Sequence, residues 1–402
     1  MFEKILRILK DELDLLITIP LSIPFLLFLI ILYPLLKIKV GFLHSDRIGH
    51  FTLNTELYLL EKKFRNFKSL DLFYLGRKNV CNKTLEKLWR KKLIILPRLI
   101  LRPLCLQIRF FDNLSFLRCG NTVNGQRDIL NLLDEYPTSI NFEEEDHKFG
   151  EKEMEKLGIP KNTKYVCLIV RDSAYLEKIY NQQVSIHDYR NSNINHFIEA
   201  ANALTDLGYY VIRMGAKVNE PIQAKNKMVI DYAFEGQRSD FMDIYLASKC
   251  EFCITTGTGF DGVTMLFRKP NVYVNVAPLF YLRLECLNLL SIPCYYYSKI
   301  LKRKLSLLEI INSNSAVYLN SSEYKNDSIE LIQNNSEEIK MTVLEAEKRI
   351  KGTWSDKYAD NLHDKFKKLF PQKKIFNSII NHGKIKGRIS SYFLKKNEWW
   401  LN

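Results

Sequence analysis

The sequence predicts an α/β protein built on a doubly wound parallel sheet, with two domains and appended segments at both ends. Three observations carry that expectation. Between Lys164 and Val276, short apolar runs alternate with amphipathic stretches and short polar connections, as parallel strands covered by helices on both faces do. The tips of those runs collect arginine, aspartate, threonine and glycine while their bodies stay apolar. A chain of 402 residues is also too long for one ordinary core, so two globular parts are expected.

Composition narrows the partners. A hydrophobic content of 47% with 12% aromatics belongs to a folded chain. The formal net charge of +14 asks for an anionic partner. No zinc-finger spacing and no basic helix with base-reading residues is evident, so nucleic acid is not expected. Phosphorylated small molecules and a lipid surface remain.

Residues 1–36 are expected to anchor the chain to a membrane. Leu15 to Leu36 holds no charged residue and is long enough to cross a hydrocarbon core as a helix. It is too long and lacks the small-residue cleavage site of a secretory signal. Pro20, Pro24 and Pro34 interrupt it, leaving a kinked spanning helix and a re-entrant segment both open. Charges on the two flanks nearly balance, so they do not set orientation. The cysteines lie in apolar stretches, as in a reducing compartment, which puts the body on the cytoplasmic side. Cys250 and Cys253 form a C-x-x-C without a second pair at ligand spacing, so no metal is expected there. Two more stretches read as membrane-surface elements. Trp89–Leu104 interleaves Arg90, Lys91, Lys92, Arg98 and Arg102 with large aliphatics, and the basic tail from Lys365 ends in Trp399 and Trp400 beside Lys395 and Lys396.

Residues 37–160 read as a first α/β domain. Lys37–His44 is a strand, a loop and helix follow, and Leu70–Gly76 is a second strand. The polar stretch near 141–162 reads as an interdomain connection. Residues 161–345 form the second domain, with strands at Lys164–Asp172, Tyr209–Gly215, Lys227–Ala233, Glu251–Thr256 and Asn271–Val276. Helices are expected at Ile194–Leu207 and Ser239–Ser248, and the Asn- and Ser-rich stretch 312–338 reads as surface. Residues 346–402 are expected to be a helical basic tail.

Ligands of open parallel sheets bind at the carboxyl ends of the strands. Here those ends offer Arg171, Arg213 and Gly215, and the loop Thr255, Thr256, Gly257, Thr258 and Gly259 before a helix starting near Asp261. Glycines let a backbone approach an anion closely, and a helix N-terminus adds free N–H groups. Guanidinium groups match phosphate geometry. A diphosphate fits such a set. His187 and Arg190, on the loop Ser185–Asn193, are candidate contacts to the same group. In the first domain, Asp46 and His50 follow the first strand, and a histidine of near-neutral pKa suits deprotonation of a hydroxyl.

The stretches RIGH (Arg47–His50), VRDSAY (Val170–Tyr175), HDYRNS (His187–Ser192), GYYVIRMG (Gly208–Gly215), RSDFMDIYL (Arg238–Leu246) and TTGTGFD (Thr255–Asp261) resemble those of a family of bacterial glycosyltransferases. The resemblance runs from about Lys37 to Val276, with a weaker match near GTWSD (Gly352–Asp356). It implies a GT-B arrangement: two Rossmann-like domains facing a cleft, with a nucleotide-sugar donor in the second and the acceptor in the first. It further implies work without a bound metal or resident cofactor, which agrees with the lack of a D-x-D motif at a strand end. The acceptor it implies is a surface glycan, carried on a lipid, at the cytoplasmic face of the bacterial inner membrane. Pyruvyl or polyol-phosphate transfer on the same fold stays open, as does a non-catalytic membrane scaffold of glycan assembly.

Overall fold

The computed structural model describes residues 2–77, 79–120, 127–174, 177, 185–234, 236–371 and 383–402, with backbone alone at 2–14 and 185. Tyr175 of the VRDSAY stretch and residues 372–382 of the expected tail lie outside the described residues. The chain divides into two compact units, residues 1–126 with 138–142 and residues 127–137 with 143–402. The stretch expected as a connection joins the second unit, because its helix Glu144–Lys156 packs on the helix Asp240–Lys249. Gly150 makes that contact possible: a Cβ there would strike the ring of Tyr245.

In the first unit, α1 (Phe2–Leu36) leads through Lys37 into β1 (Ile38–Leu43). Then come α2 (Thr55–Phe64), β2 (Leu70–Leu75), α3 (Lys83–Arg90), β3 (Ile94–Ile95) and α4 (Arg98–Phe110). The strands pair in parallel in the order β1-β2-β3. One core holds Ile38, Val40 and Tyr74 together with Leu26 and Leu29 of α1 and Leu101, Leu104, Cys105 and Ile108 of α4. The stretch expected as a single surface element, Trp89–Leu104, is thus divided among α3, β3 and α4. Trp89 itself is core, with its indole N–H donating to the Phe51 carbonyl at 2.9 Å.

The second unit centres on β4 (Tyr165–Ile169), β5 (Tyr210–Arg213), β6 (Val229–Ile230), β7 (Cys253–Thr255), β8 (Asn271–Val276) and β9 (Leu289–Pro293). Residues of β4, β7, β8 and β9 are buried throughout, as strands covered on both faces must be. With β13 (Arg388–Ile389) at one edge, the sheet order is β13-β9-β8-β7-β4-β5-β6 with every pairing parallel. The chain therefore winds outward from β4 to β6, then returns to the other side of β4 and winds outward again. Loops after β4 and β7 leave in opposite directions, and a crevice opens at their switch point.

A second sheet is antiparallel, with β10 (Tyr295–Ser298) between β11 (Arg303–Lys304) and β12 (Ile329–Ile332). It takes in part of the stretch 312–338 that reads as plain surface. The C-terminal residues also differ from an appended tail. The strand β13 (Arg388–Ile389) forms the sheet edge beside β9, and Trp400, only 2% exposed, stacks on Phe366 with ring centroids 6.0 Å apart. Lys395 pairs with Asp356 at 2.6 Å and Lys396 with Glu338 at 3.4 Å. These residues close the second core instead of forming a tryptophan–lysine membrane surface, and only Trp399 of the pair keeps appreciable exposure.

Candidate functional site

At the switch point the backbone after β4 is clamped on both sides. The Arg171 amide donates to Thr256 Oγ1 at 2.9 Å, and its carbonyl accepts from the Ser192 amide at 2.9 Å. Three loops therefore meet at Arg171: its own, the loop after β7, and the HDYRNS loop. Arg190 reaches across from the last of these, donating through Nη2 to the Gly257 carbonyl, with its guanidinium 6.0 Å from the Tyr281 ring. Among the described residues neither arginine has a carboxylate within ion-pair distance. Arg171 Nε is buried without a hydrogen-bond partner. Burial first, and the charge of Arg190 second, pull the Arg171 guanidinium down to about 10, which leaves it positive at neutral pH. Two like charges held together, one with an unanswered buried donor, make a place for an anion.

The glycine loop is a scaffold for this pair more than a cradle of amides. Gly257 and Gly259 adopt φ of +75° and +93°, conformations that side-chain-bearing residues avoid. Their N–H groups turn inward: Gly257 donates to Thr255 Oγ1 at 3.0 Å and Gly259 to Asp261 Oδ1 at 2.7 Å. Asp261 also accepts from the Tyr273 hydroxyl at 2.7 Å, and Thr258 Oγ1 accepts from the Phe260 amide at 3.3 Å. The helix that follows runs only from Asp261 to Leu266, with the Asp261 carboxylate at its start. The expected approach of an anion to the helix N-terminus is thus replaced by an internal carboxylate. Thr256 is spent on the Arg171 amide.

Three other expected contacts lie elsewhere. Arg213 is 2% exposed and its Nη1 sits 3.1 Å from Asp231 Oδ2, while also donating to the Glu220 carbonyl. It ties the tip of β5 to the tip of β6, because a buried guanidinium needs a counter-charge. Gly215 sits in tight packing, where a Cβ would stand 3.0 Å from Val218 Cγ1 and 3.3 Å from Ala233 Cβ. His187 Nδ1 lies 3.0 Å from the Leu319 carbonyl, anchoring the HDYRNS loop to the segment before Ser321.

Next to the arginine pair, a pocket of about 260 Å³ opens among Asp188, Tyr189, Asn191, Ser192, Asn275 and Tyr324. Lys299, Lys325 and Glu330 also line it. The Tyr189 and Tyr324 rings are 5.2 Å apart. Asn191 donates to Asp188 Oδ1 at 3.0 Å, and its own Oδ1 is buried without a partner. The pocket thus combines aromatic surface with one unused acceptor, a lining suited to a flat polar heterocycle.

In the first unit, a π-helical turn, His50–Asn54, follows β1; such turns recur at functional sites. His44, one residue beyond β1, and His50 face each other with ring centroids 5.4 Å apart and planes tilted by 43°. Burial depresses the pKa of both below the ordinary histidine value, and His44 depresses that of His50 further. Asn54 Nδ2 lies 3.3 Å from His50 Nδ1. Asp46, between the two histidines in sequence and 3.7 Å from Arg77, acts on both in the raising direction. Gly49 is helical, at φ −62°, so the turn does not depend on glycine freedom.

No protein-family model matches the chain, and no curated protein sequence matches it. Among solved structures it is similar to a glycosyl transferase family 9 protein of Veillonella parvula DSM 2008. That likeness has a TM-score of 0.43 at 12% identity and covers 64% of this chain and 86% of the other. It is also similar to the ADP-heptose LPS heptosyltransferase II of E. coli, with a TM-score of 0.34 at 13% identity over 60% of this chain and 86% of that one. A third is the E. coli heptosyltransferase WaaC with ADP-2-deoxy-2-fluoro heptose, at a TM-score of 0.34 and 11% identity, over 72% of this chain and 98% of that one.

Of the residues expected from the sequence, Arg171, Arg190, Thr256 and Gly257 come together, while Arg213, Gly215 and His187 do not join them. His44 is not singled out by the sequence, which reads it as the last residue of the strand, whereas β1 ends at Leu43. Tyr324 and Lys325 escape the sequence reading because their wall comes from the stretch that reads as surface, and Asn275 because it lies inside an apolar strand.

Proposed function

We propose that this chain is a glycosyltransferase that takes a sugar from a nucleoside-diphosphate donor and delivers it to a glycan acceptor, carried on a lipid, at the bacterial inner membrane. The observation that carries the reading is the Arg171–Arg190 pair, with no carboxylate within ion-pair distance among the described residues, beside a pocket with aromatic walls and the free Asn191 acceptor. The pair suits a diphosphate and the pocket a nucleobase. When the bond from the anomeric carbon to the donor's terminal phosphate oxygen breaks, its electron pair stays on that oxygen and the diphosphate gains charge. Two fixed guanidinium groups stabilise this charge as it develops, a task other enzymes assign to a metal ion.

The acceptor hydroxyl must lose a proton as its oxygen bonds to the anomeric carbon. His44 and His50 are the groups we assign to it. Their depressed pKa values keep the rings neutral at pH 7 and able to take a proton. Their closeness to each other and to the Asp46 charge supports that role.

Calorimetric titration of the full chain with the nucleoside diphosphates of the common bases, their sugar esters, and phosphoenolpyruvate tests the reading. At least one diphosphate and its sugar ester should bind in the micromolar range or tighter. Binding of phosphoenolpyruvate alone would point to pyruvyl transfer, and absence of any binding would leave a scaffold.

A further inference from the structure

We infer that α1 and α4 lie together in one leaflet of a membrane, so that Leu15–Leu36 does not cross the bilayer and the chain is monotopic. Taken alone, Leu15–Leu36 reads as a span: its mean hydropathy is 2.8, and 22 helical residues cover about 33 Å. Its burial pattern says otherwise. Leu15, Ser22, Leu26 and Leu29 are buried, with Ile30 and Tyr33 packed partly against the same core. Steps of three, four and seven put them on one stripe, so the helix is docked lengthwise on the first unit instead of standing away from it. The remaining face, including Leu16, Phe25, Ile31 and Leu35, is open.

The partner along that stripe is α4. Gln107 donates to the Ile19 carbonyl at 3.0 Å and to Ser22 Oγ at 2.5 Å. Leu101, Leu104, Cys105 and Ile108 share a core with Leu26 and Leu29. The polar groups between the helices satisfy one another, as they must where water is absent. On its outer side α4 adds Leu99, Ile100, Leu106 and Phe110 to the open apolar face, Phe110 at 82% exposure.

The arginines set the depth. Arg98, Arg102 and Arg109 are distributed along the 13 residues of α4, a helix only about 20 Å long. Arginine is strongly disfavoured in the centre of the hydrocarbon, whereas an interfacial helix keeps its cationic heads at the phosphates and its aliphatic side in the acyl region. The helix α4 therefore stays at the interface, and α1, bonded to it over much of its apolar length, is held at the same level. The charged residues ahead of Leu15, from Glu3 to Asp14, then need not cross either. A phospholipid leaflet is the occupant that fits a continuous apolar face edged by arginine.

Topology tests this in the full-length chain, independently of the transferase reading. With peptide tags fused ahead of the first residue and after Asn402, sealed inner-membrane vesicles of both orientations are treated with protease. Both tags should be cut in one orientation and both protected in the other. Cleavage of only one tag in each orientation would overturn the inference, as would recovery of the protein as a soluble dimer. The double variant Leu99→Glu with Phe110→Glu should lose at least tenfold of its vesicle-bound fraction while nucleoside-diphosphate binding persists. Full retention on vesicles with that binding intact would mean α4 is not in lipid, and would likewise overturn it.

Discussion

Arg213 Nη1 lies 3.1 Å from a buried Asp231 carboxylate, whereas Arg171, among the described residues, has no carboxylate within ion-pair distance and has Arg190 as its neighbour. Both arginines stand at strand tips and are indistinguishable by spacing. What separates them is the side chain opposite, which depends on how the loop at 214–231 folds back. Arg213→Ala should destabilise the second unit by about 3–5 kcal/mol, because it leaves Asp231 buried and unpaired. Denaturant titration checks this, and unchanged stability would return Arg213 to the list of candidate ligands. The histidine pair gives a second expectation. A base acts above its pKa, and burial lowers both pKa values here. The acid limb of kcat/KM for transfer should therefore fall below pH 6.5, the ordinary histidine value. A limb above it would mean that neither His44 nor His50 is the base.

Among the elements, five strands of the second unit, β4 to β8, were legible because each is an apolar run closed by a polar tip, a pattern imposed by helices on both faces. The strands β9 and β13 were not. Arg388–Ile389 is too short to carry a period, and it joins the sheet only because Gly387 can approach the backbone of Leu284 and Leu289. Its basic neighbours mimic a solvated tail, and their carboxylate partners, Asp356, Glu338 and Asp360, are far away in sequence or unremarkable in pattern. The same holds for Trp400, which pairs with Lys395 and Lys396 on paper but with Phe366 and Phe393 in space. Trp400→Ala should cost about 3–5 kcal/mol, as for a large aromatic removed from a core. Loss of membrane binding at unchanged stability would contradict this placement.

Across the whole molecule, stability should depend on acid through His363. It is 1% exposed, neither ring nitrogen has a partner, and burial, reinforced by Arg388, drives its pKa down to about 3. A folded-state pKa below the unfolded value means that the unfolded chain binds the proton first. The contribution is complete above about pH 6.5 and is lost as pH falls toward 3. His363→Leu should flatten that decline, and an unchanged slope would exclude His363 as its source.

The account of the whole chain turns on the anion site at the β4–β7 switch point. It is tested most directly by the dissociation constant of the best-bound nucleoside diphosphate in Arg171→Ala and Arg190→Ala, each compared with the unaltered protein. Charged hydrogen bonds of about 1.5–3 kcal/mol should make each variant bind roughly 10- to 100-fold more weakly at unchanged thermal stability. Equal affinity in all three proteins would place the diphosphate elsewhere and contradict the site.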